Sequence, residues 1–283
     1  MWSPTLISTL LSLSLLTHRT LAGPMMPDPR CNKTLSECSR TGEALTKQAA
    51  PRYPPNNSTS KLNSTTPKNI GIMLYRGFQG LDVIGPFDAL WSLGRITPLN
   101  VYFLSKDKGT VRNKMPPSVT GITTNSNTTI TVSTDYALGE HPPLDVLLVP
   151  GGLGTRLSDQ ELDLYIKFVK DIYPSLQYII SVCTGASILA RAGLLDGKNA
   201  TTNKAAWKWA TQFGKDVKWQ AGARYVTDGN IWTTSGVSAG VDGTIGWIEK
   251  VFGAETAEKV ADELEWNRSA PDSDVFGKKN HLV

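Results

Sequence analysis

From Asn69 onward, short apolar runs alternate with stretches whose apolar residues recur at helical spacing. "NIGIMLY", "NVYFLS", "LDVLLVP" and "YIISV" are continuous apolar runs of strand length. Such runs predict strands buried on both faces. "PFDALWSL", "DQELDLYIKFVKDIY", "GASILARAGLL", "VDGTIGWIEKVFG" and "AETAEKVADELEW" carry the helical period, with Asp159 a candidate cap for the second. A further helix is expected near "KAAWKWATQF". "VTGITTNSNTTITVSTDYA" is rich in Thr and Val with turn residues between, the pattern of an antiparallel excursion. "RYVTDGNIWTTSG" reads as a hairpin turning at Asp228-Gly229. Buried strands alternating with helices predict an α/β domain, a parallel sheet covered by helices on both faces. This domain is expected over 67–270, with "PDSDVFGKKNHLV" (271–283) as a tail.

Upstream the pattern is different. Residues 1–22 have an apolar core from Leu6 to Leu16, followed by Thr20-Leu21-Ala22, small residues at the spacing a signal peptidase reads. This reads as a secretory signal peptide. The alternative, an uncleaved anchor, is disfavoured by the shortness of the core. Residues 23–66 are rich in Pro, Ser, Thr, Asn and Lys, with few large apolar residues. Such a segment cannot offset its ordering entropy, so disorder is expected. It holds Asn-x-Ser/Thr sequons at Asn32, Asn56, Asn57 and Asn63, and others follow at Asn127, Asn199 and Asn267. Together these features predict a secreted, glycosylated chain.

Composition narrows the function classes. A net charge of +4 over 283 residues is too small for a nucleic-acid partner to be expected. No run approaches the roughly 20 apolar residues that span a bilayer, so no membrane partner is expected. There are three cysteines. Cys31 and Cys38 lie close together in the extension, placed to close a disulfide loop in an oxidising compartment. Cys183 is left over, either as an inert buried thiol or as a reactive one.

Position favours the reactive reading. In a parallel sheet, ligands collect at the carboxyl ends of the strands. "LDVLLVP" ends at Gly151-Gly152, "YIISV" leads into Cys183-Thr184-Gly185, and the loop after "NIGIMLY" carries Asp82. The turn at Cys183 has the layout of a nucleophile elbow. The helix behind it offers unpaired N–H groups and a positive dipole end, which are expected to favour thiolate. Gly151 and Gly152 are candidates for donating backbone N–H groups to a developing anion. Of the three histidines, His18 lies in the signal segment, His281 in the tail, and His141 at the start of a strand. None is placed to serve Cys183. Asp82 is the better proton carrier, since burial beside a thiolate would raise its pKa. Capping or turn formation before Pro86 is its alternative role.

"GLDVIGPFDAL", "LDVLLVPGGLGT", "SVCTGASILARAGLLDGKNATTN" and "DGNIWTTSGVSAGVD" occur in that order. On these motifs, the region from Asn69 to Trp266 resembles the ThiJ/PfpI superfamily, and within it the isonitrile hydratase branch. The resemblance implies a three-layer α/β/α sandwich of the flavodoxin-like, class I glutamine amidotransferase-like kind. It implies a nucleophilic Cys183, a proton-handling Asp82, a substrate-orienting Thr184 and N–H donation from Gly152. The implied reaction adds water to an isocyanide, giving an N-substituted formamide, with no metal or organic cofactor. A homodimer acting on a small-molecule substrate is implied as well. The chain departs from the hydratase pattern at Asn203, where that pattern has histidine. Two alternatives stay open: glyoxalase- or deglycase-like chemistry on reactive carbonyls, and a non-catalytic redox-sensing or binding role for Cys183.

Overall fold

The computed structural model describes residues 66–115 and 126–283. The expected signal peptide, and the following stretch with the sequons at Asn32, Asn56, Asn57 and Asn63 and with Cys31 and Cys38, lie outside the described residues. The central sheet has seven strands. These are β1 (Asn69–Met73), β2 (Asn100–Ser105), β5 (Tyr136–Ala137), β6 (Val146–Val149), β7 (Tyr178–Ser181), β10 (Tyr225–Asp228) and β11 (Ile231–Thr234). Their spatial order is β10-β11-β7-β6-β1-β2-β5. All neighbours are parallel except the edge pair β10–β11. The Thr- and Val-rich excursion forms its own ladder, β3 (Thr110–Arg112) antiparallel to β4 (Thr131–Ser133). Two short strands, β8 (Asn199–Ala200) and β9 (Lys218–Trp219), pair separately.

Alternation along each strand divides the core in two. Ile70, Ile72, Val146, Leu148, Ile180 and Trp232 face one way. They pack on α1 (Gly80–Gly94), α5 (Ala239–Phe252) and α6 (Ala254–Glu263) through residues such as Leu90, Ile245 and Val260. Met73, Leu147, Val149, Ile179 and Ile231 face the other way, onto α2 (Asp159–Ile172) and α3 (Ala186–Arg191). In α2 the buried positions Leu162, Tyr165, Val169 and Ile172 follow the helical period. A strand with both faces buried has to be apolar throughout, which is why these strands read as unbroken runs. The fold is the expected three-layer α/β/α sandwich.

Four details differ from the sequence expectation. Ser158, not Asp159, occupies the N-cap position of α2. The helix near "KAAWKWATQF" is a single turn, α4 (Trp207–Ala210). The hairpin loop is Gly229-Asn230, one residue later than expected, because Asp228 still pairs with Ile231 and Gly229 takes the positive φ of +65°. The C-terminal segment does not trail from the domain as a tail. Pro271 O accepts from Arg224 N at 2.6 Å, and Asp274 is buried and caps α7 (Val275–Lys279) by accepting from Phe276 N.

Asp242 helps to fix that packing. Its carboxylate accepts from Arg224 Nε at 2.6 Å, Trp266 Nε1 at 2.8 Å and Ser269 N at 3.0 Å. It therefore ties the residue leading into the edge hairpin, Arg224, to the C-terminal chain. A buried carboxylate is tolerated where such donors replace its water.

Candidate active site

The strand order places the three candidate loops side by side. β7, β6 and β1 are adjacent, and the chain reverses its direction of travel across the sheet between β1 and β6. Such a switch point opens a crevice at the carboxyl ends of the strands. Asp82 follows β1, Gly151-Gly152 follows β6, and Cys183 follows β7. The β1 and β6 loops are joined by Gln79 N to Gly151 O at 2.9 Å and Gly154 N to Gly77 O at 2.9 Å.

Cys183 sits at φ +58°, in the left-handed region that side chains rarely adopt. Its backbone is held on both sides. Its N–H donates to Ser235 O at 3.0 Å, and its C=O accepts from Thr202 Oγ1 at 2.9 Å. The strained elbow expected from the sequence is present, and surrounding hydrogen bonds impose it. Val237 is also left-handed, at φ +44°. For a β-branched residue this is a marked outlier. The N–H groups of Val237 and Thr184 and the side chain of Asn203 all favour negative charge on the Cys183 sulfur.

Asp82 is fully buried in the first turn of α1. Its Oδ2 accepts from Gly151 N at 2.9 Å. Its Oδ1 has no aligned hydrogen-bond partner among the described residues, while the Cys183 thiol lies close enough to favour the carboxylate. Burial dominates and pushes the carboxyl up to about 7, with the Gly151 N–H and the thiol pulling the other way. Burial, and then the Asp82 charge, push the Cys183 thiol up to about 12. The expectation of a low-pKa thiolate is thus corrected. The helix behind the elbow is short and its dipole does not outweigh burial. The pair holds the sulfur as a thiol beside a carboxyl poised near neutrality. Tyr75 closes the floor: it is buried, its hydroxyl donates to Pro150 O, and burial raises its pKa, with the charges of Asp82 and Cys183 adding to the rise.

The glycine N–H groups are not free for an anion. Gly151 N donates to Asp82, and Gly152 N donates to Thr184 Oγ1 at 3.0 Å. Thr184 Oγ1 also accepts from Thr155 Oγ1 at 3.2 Å. The two glycines therefore position Asp82 and Thr184, and the donors aimed at the sulfur come from Thr184, Val237 and Asn203. A Cβ on Gly151 would lie 2.5 Å from Thr184 N and 2.9 Å from Asp82 Oδ2. Gly151→Ala is expected to lower kcat/KM about 100-fold, since a displacement of order 1 Å at reacting groups costs that much. Steady-state kinetics of the parent and of the purified, folded variant check it.

Sequence reasoning missed Val237, Ser235 and Tyr75. "SGVSAG" directly follows β11, which neighbours β7, so its place at the same sheet end was the available signal. His141 lies away from the site, its ring packed edge-on against Phe168 and its Nδ1 2.7 Å from Pro142 O. Among the sequons within the described residues, Asn127 and Asn267 are exposed. Asn199 is half-buried and its Nδ2, the atom a glycan would take, donates to Asp228 Oδ2 at 3.1 Å.

Comparison with known proteins agrees with this fold. Residues 68–250 match the model of the DJ-1/PfpI family. The chain is 34% identical over 205 residues to an isonitrile hydratase of Pseudomonas putida, covering 71% of this chain and 80% of that protein. It is 29% identical over 169 residues to a deglycase of Thermococcus kodakarensis, covering 56% and 84% respectively. Among solved structures, a ThiJ/PfpI family protein from Pseudomonas syringae superposes with a TM-score of 0.58 at 24% identity, covering 84% of this chain and 93% of the other. With the matched region spanning the sheet, the elbow and the acid loop, the chain belongs to the DJ-1/PfpI family.

Proposed function

We propose that this DJ-1/PfpI-family enzyme is a cysteine-dependent hydratase that converts a small isocyanide, R–N≡C, into the formamide R–NH–CHO. The observation that carries the reading is the buried Asp82 carboxyl beside the Cys183 thiol, with no imidazole among its hydrogen-bond partners in the described residues. Addition of a thiol to an isocyanide carbon needs one nucleophile and one proton delivered to the same atom. Asp82 as carboxylate takes the thiol proton while the sulfur attacks the terminal carbon. The resulting carboxylic acid then protonates that carbon, giving the thioimidate R–N=CH–S–Cys183. Asp82, again a carboxylate, takes a proton from water as the water oxygen adds to the C=N carbon and passes that proton to the nitrogen, giving R–NH–CH(OH)–S–Cys183. Collapse then forms the C=O bond and breaks the C–S bond, with Asp82 relaying the hydroxyl proton to sulfur and R–NH–CHO released. Water is consumed, the thiol and carboxylate are regenerated, and no redox change occurs.

Similarity to the Pseudomonas putida isonitrile hydratase supports this reading. Redox sensing calls for an exposed, low-pKa thiolate. Cys183 is 4% exposed and its thiol is raised, which opposes that role. The test is formamide production from a simple alkyl or aryl isocyanide. Many turnovers per protein molecule are expected. No formamide from folded protein with a titratable Cys183 thiol sinks the reading.

A further inference from the structure

A cavity of about 230 Å3 lies against the same loops that surround the sulfur. Its walls include Asn203, Gly236 and Val237 on one side and Phe276 and Asn280 of the α7 segment on the other. Asn203 and Val237 are two of the three groups that favour charge on the Cys183 sulfur. Cys183 and Asp82 do not line it; the cavity adjoins the sulfur through these shared donors, Asn203 and Val237. A cavity of about 150 Å3 holds a benzene ring, so this one has room for an aryl or small aliphatic group. Phe276 is a large apolar side chain left 45% exposed at its rim.

The far wall is fastened from within. Lys204 and Asp274 have side chains only 1% and 0% exposed, with Nζ and Oδ2 3.6 Å apart. Lys204 Nζ also donates to Thr201 Oγ1 at 2.6 Å, Ala223 O at 2.8 Å and Thr202 O at 3.2 Å. Thr202 in turn holds the Cys183 carbonyl. Asp274 caps α7 through Phe276 N at 2.8 Å. A buried ion pair so placed contributes less to net stability than to fixing one arrangement, because desolvation offsets most of its attraction. The arrangement it fixes is α7 across the cavity.

We propose that α7 is the specificity wall of the substrate pocket, with Phe276 contacting the substituent of the electrophile attacked by Cys183 and the Lys204–Asp274 pair positioning that wall. The proposal rests on Cys183 being the nucleophile, and it deepens that reading by assigning the part of the substrate that is not attacked. An apolar substituent of aryl size is the class that fits.

The test uses alkylation of Cys183, a readout independent of formamide. The Cys183 sulfur displaces iodide from iodoacetamide or from its N-benzyl derivative, and the site is read by peptide mass mapping of the full chain. The measured quantity is the ratio of the two rate constants, bulky over small. Phe276→Ala is expected to raise this ratio about tenfold and Phe276→Trp to lower it by a similar factor, the scale of apolar pocket discrimination. Asp274→Asn is expected to shift the ratio in the direction of Phe276→Ala. A ratio unchanged in both Phe276 variants overturns the proposal even if isocyanide is turned over. Failure of both reagents to modify Cys183 in any form, Phe276→Ala included, overturns the wall, because the cavity then does not lead to the sulfur, while formamide production by the same preparation decides separately whether Cys183 is the nucleophile. Loss of formamide production with the ratios moving as stated leaves the wall supported and shifts the search to another electrophile of the same size.

Discussion

Cys183→Ala is expected to abolish formamide production, by a factor of at least about 1000, while the protein melts within a few degrees of the parent. The first half follows from the chemistry: without sulfur no thioimidate forms, and the other site groups cannot act in its place. The second half follows from the surroundings. The thiol is raised to about 12 by burial and the Asp82 charge, so near neutral pH it is an uncharged small group packed in the apolar core on one side and facing Asp82 on the other. Ala at φ +58° meets the same left-handed strain as Cys, so the backbone cost cancels. A single mass measurement distinguishes covalent from non-covalent catalysis. The parent protein trapped during turnover should gain the full mass of the isocyanide, since addition expels nothing, and the variant should gain none.

Asp82→Asn is expected to lower kcat/KM by about 1000-fold, within the range for a positioned acid–base group. It should also remove a step from the pH profile. In the parent, kcat/KM should climb about tenfold per pH unit up to about 7 and then level, because the carboxylate must be free to take the thiol proton. If the thiol ionised unaided, the climb would instead continue far into alkaline pH, toward its value of about 12. A step near 7 that persists in the Asn variant would remove Asp82 from the role. Stability should move the opposite way to activity. A carboxyl raised on folding stabilises the folded state fully below its unfolded pKa, and that contribution is lost as pH rises through about 7. Above pH 8 the parent therefore carries an ionised, poorly solvated carboxylate. The side-chain amide of the variant keeps an oxygen for the Gly151 N–H without the charge. Denaturant melts should show the variant more stable at pH 8, by up to about 4 kcal/mol, and the gain should vanish near pH 4.

The readable part of this protein was its frame. "NIGIMLY", "LDVLLVP" and "YIISV" had to be buried on both faces, and strands of that kind align in parallel with their carboxyl ends together. Asp82, the glycine pair and Cys183 were therefore predictable as neighbours although they are far apart in the chain. What escaped was conformational and electrostatic. Val237 at φ +44° contradicts its own propensity, and no pattern of residue types announces a residue held against preference. The direction of the thiol shift also escaped, because it depends on how far α1 and the loop after β11 close over the sulfur. The destinations of the Gly151 and Gly152 N–H groups depended on rotamers of Asp82 and Thr184. The ordering of the C-terminal residues went unseen because its anchors, Asp242 and Lys204, lie in other elements.

The way Cys183 is held has a consequence for synthesis. Its N–H is secured by Ser235, and its left-handed elbow stands beside a loop that follows the last strand of the sheet. A nascent chain emerging from the ribosome thus presents Cys183 long before the residues that shape it exist. Until β11 has docked on β7, the cysteine is an ordinary thiol in an unfinished sheet, without the Val237 donor that stabilises charge on it or the cover that suppresses that charge. The reactive centre is switched on by completion of the fold, and a chain truncated before Ser235 should carry the nucleophile without its chemistry.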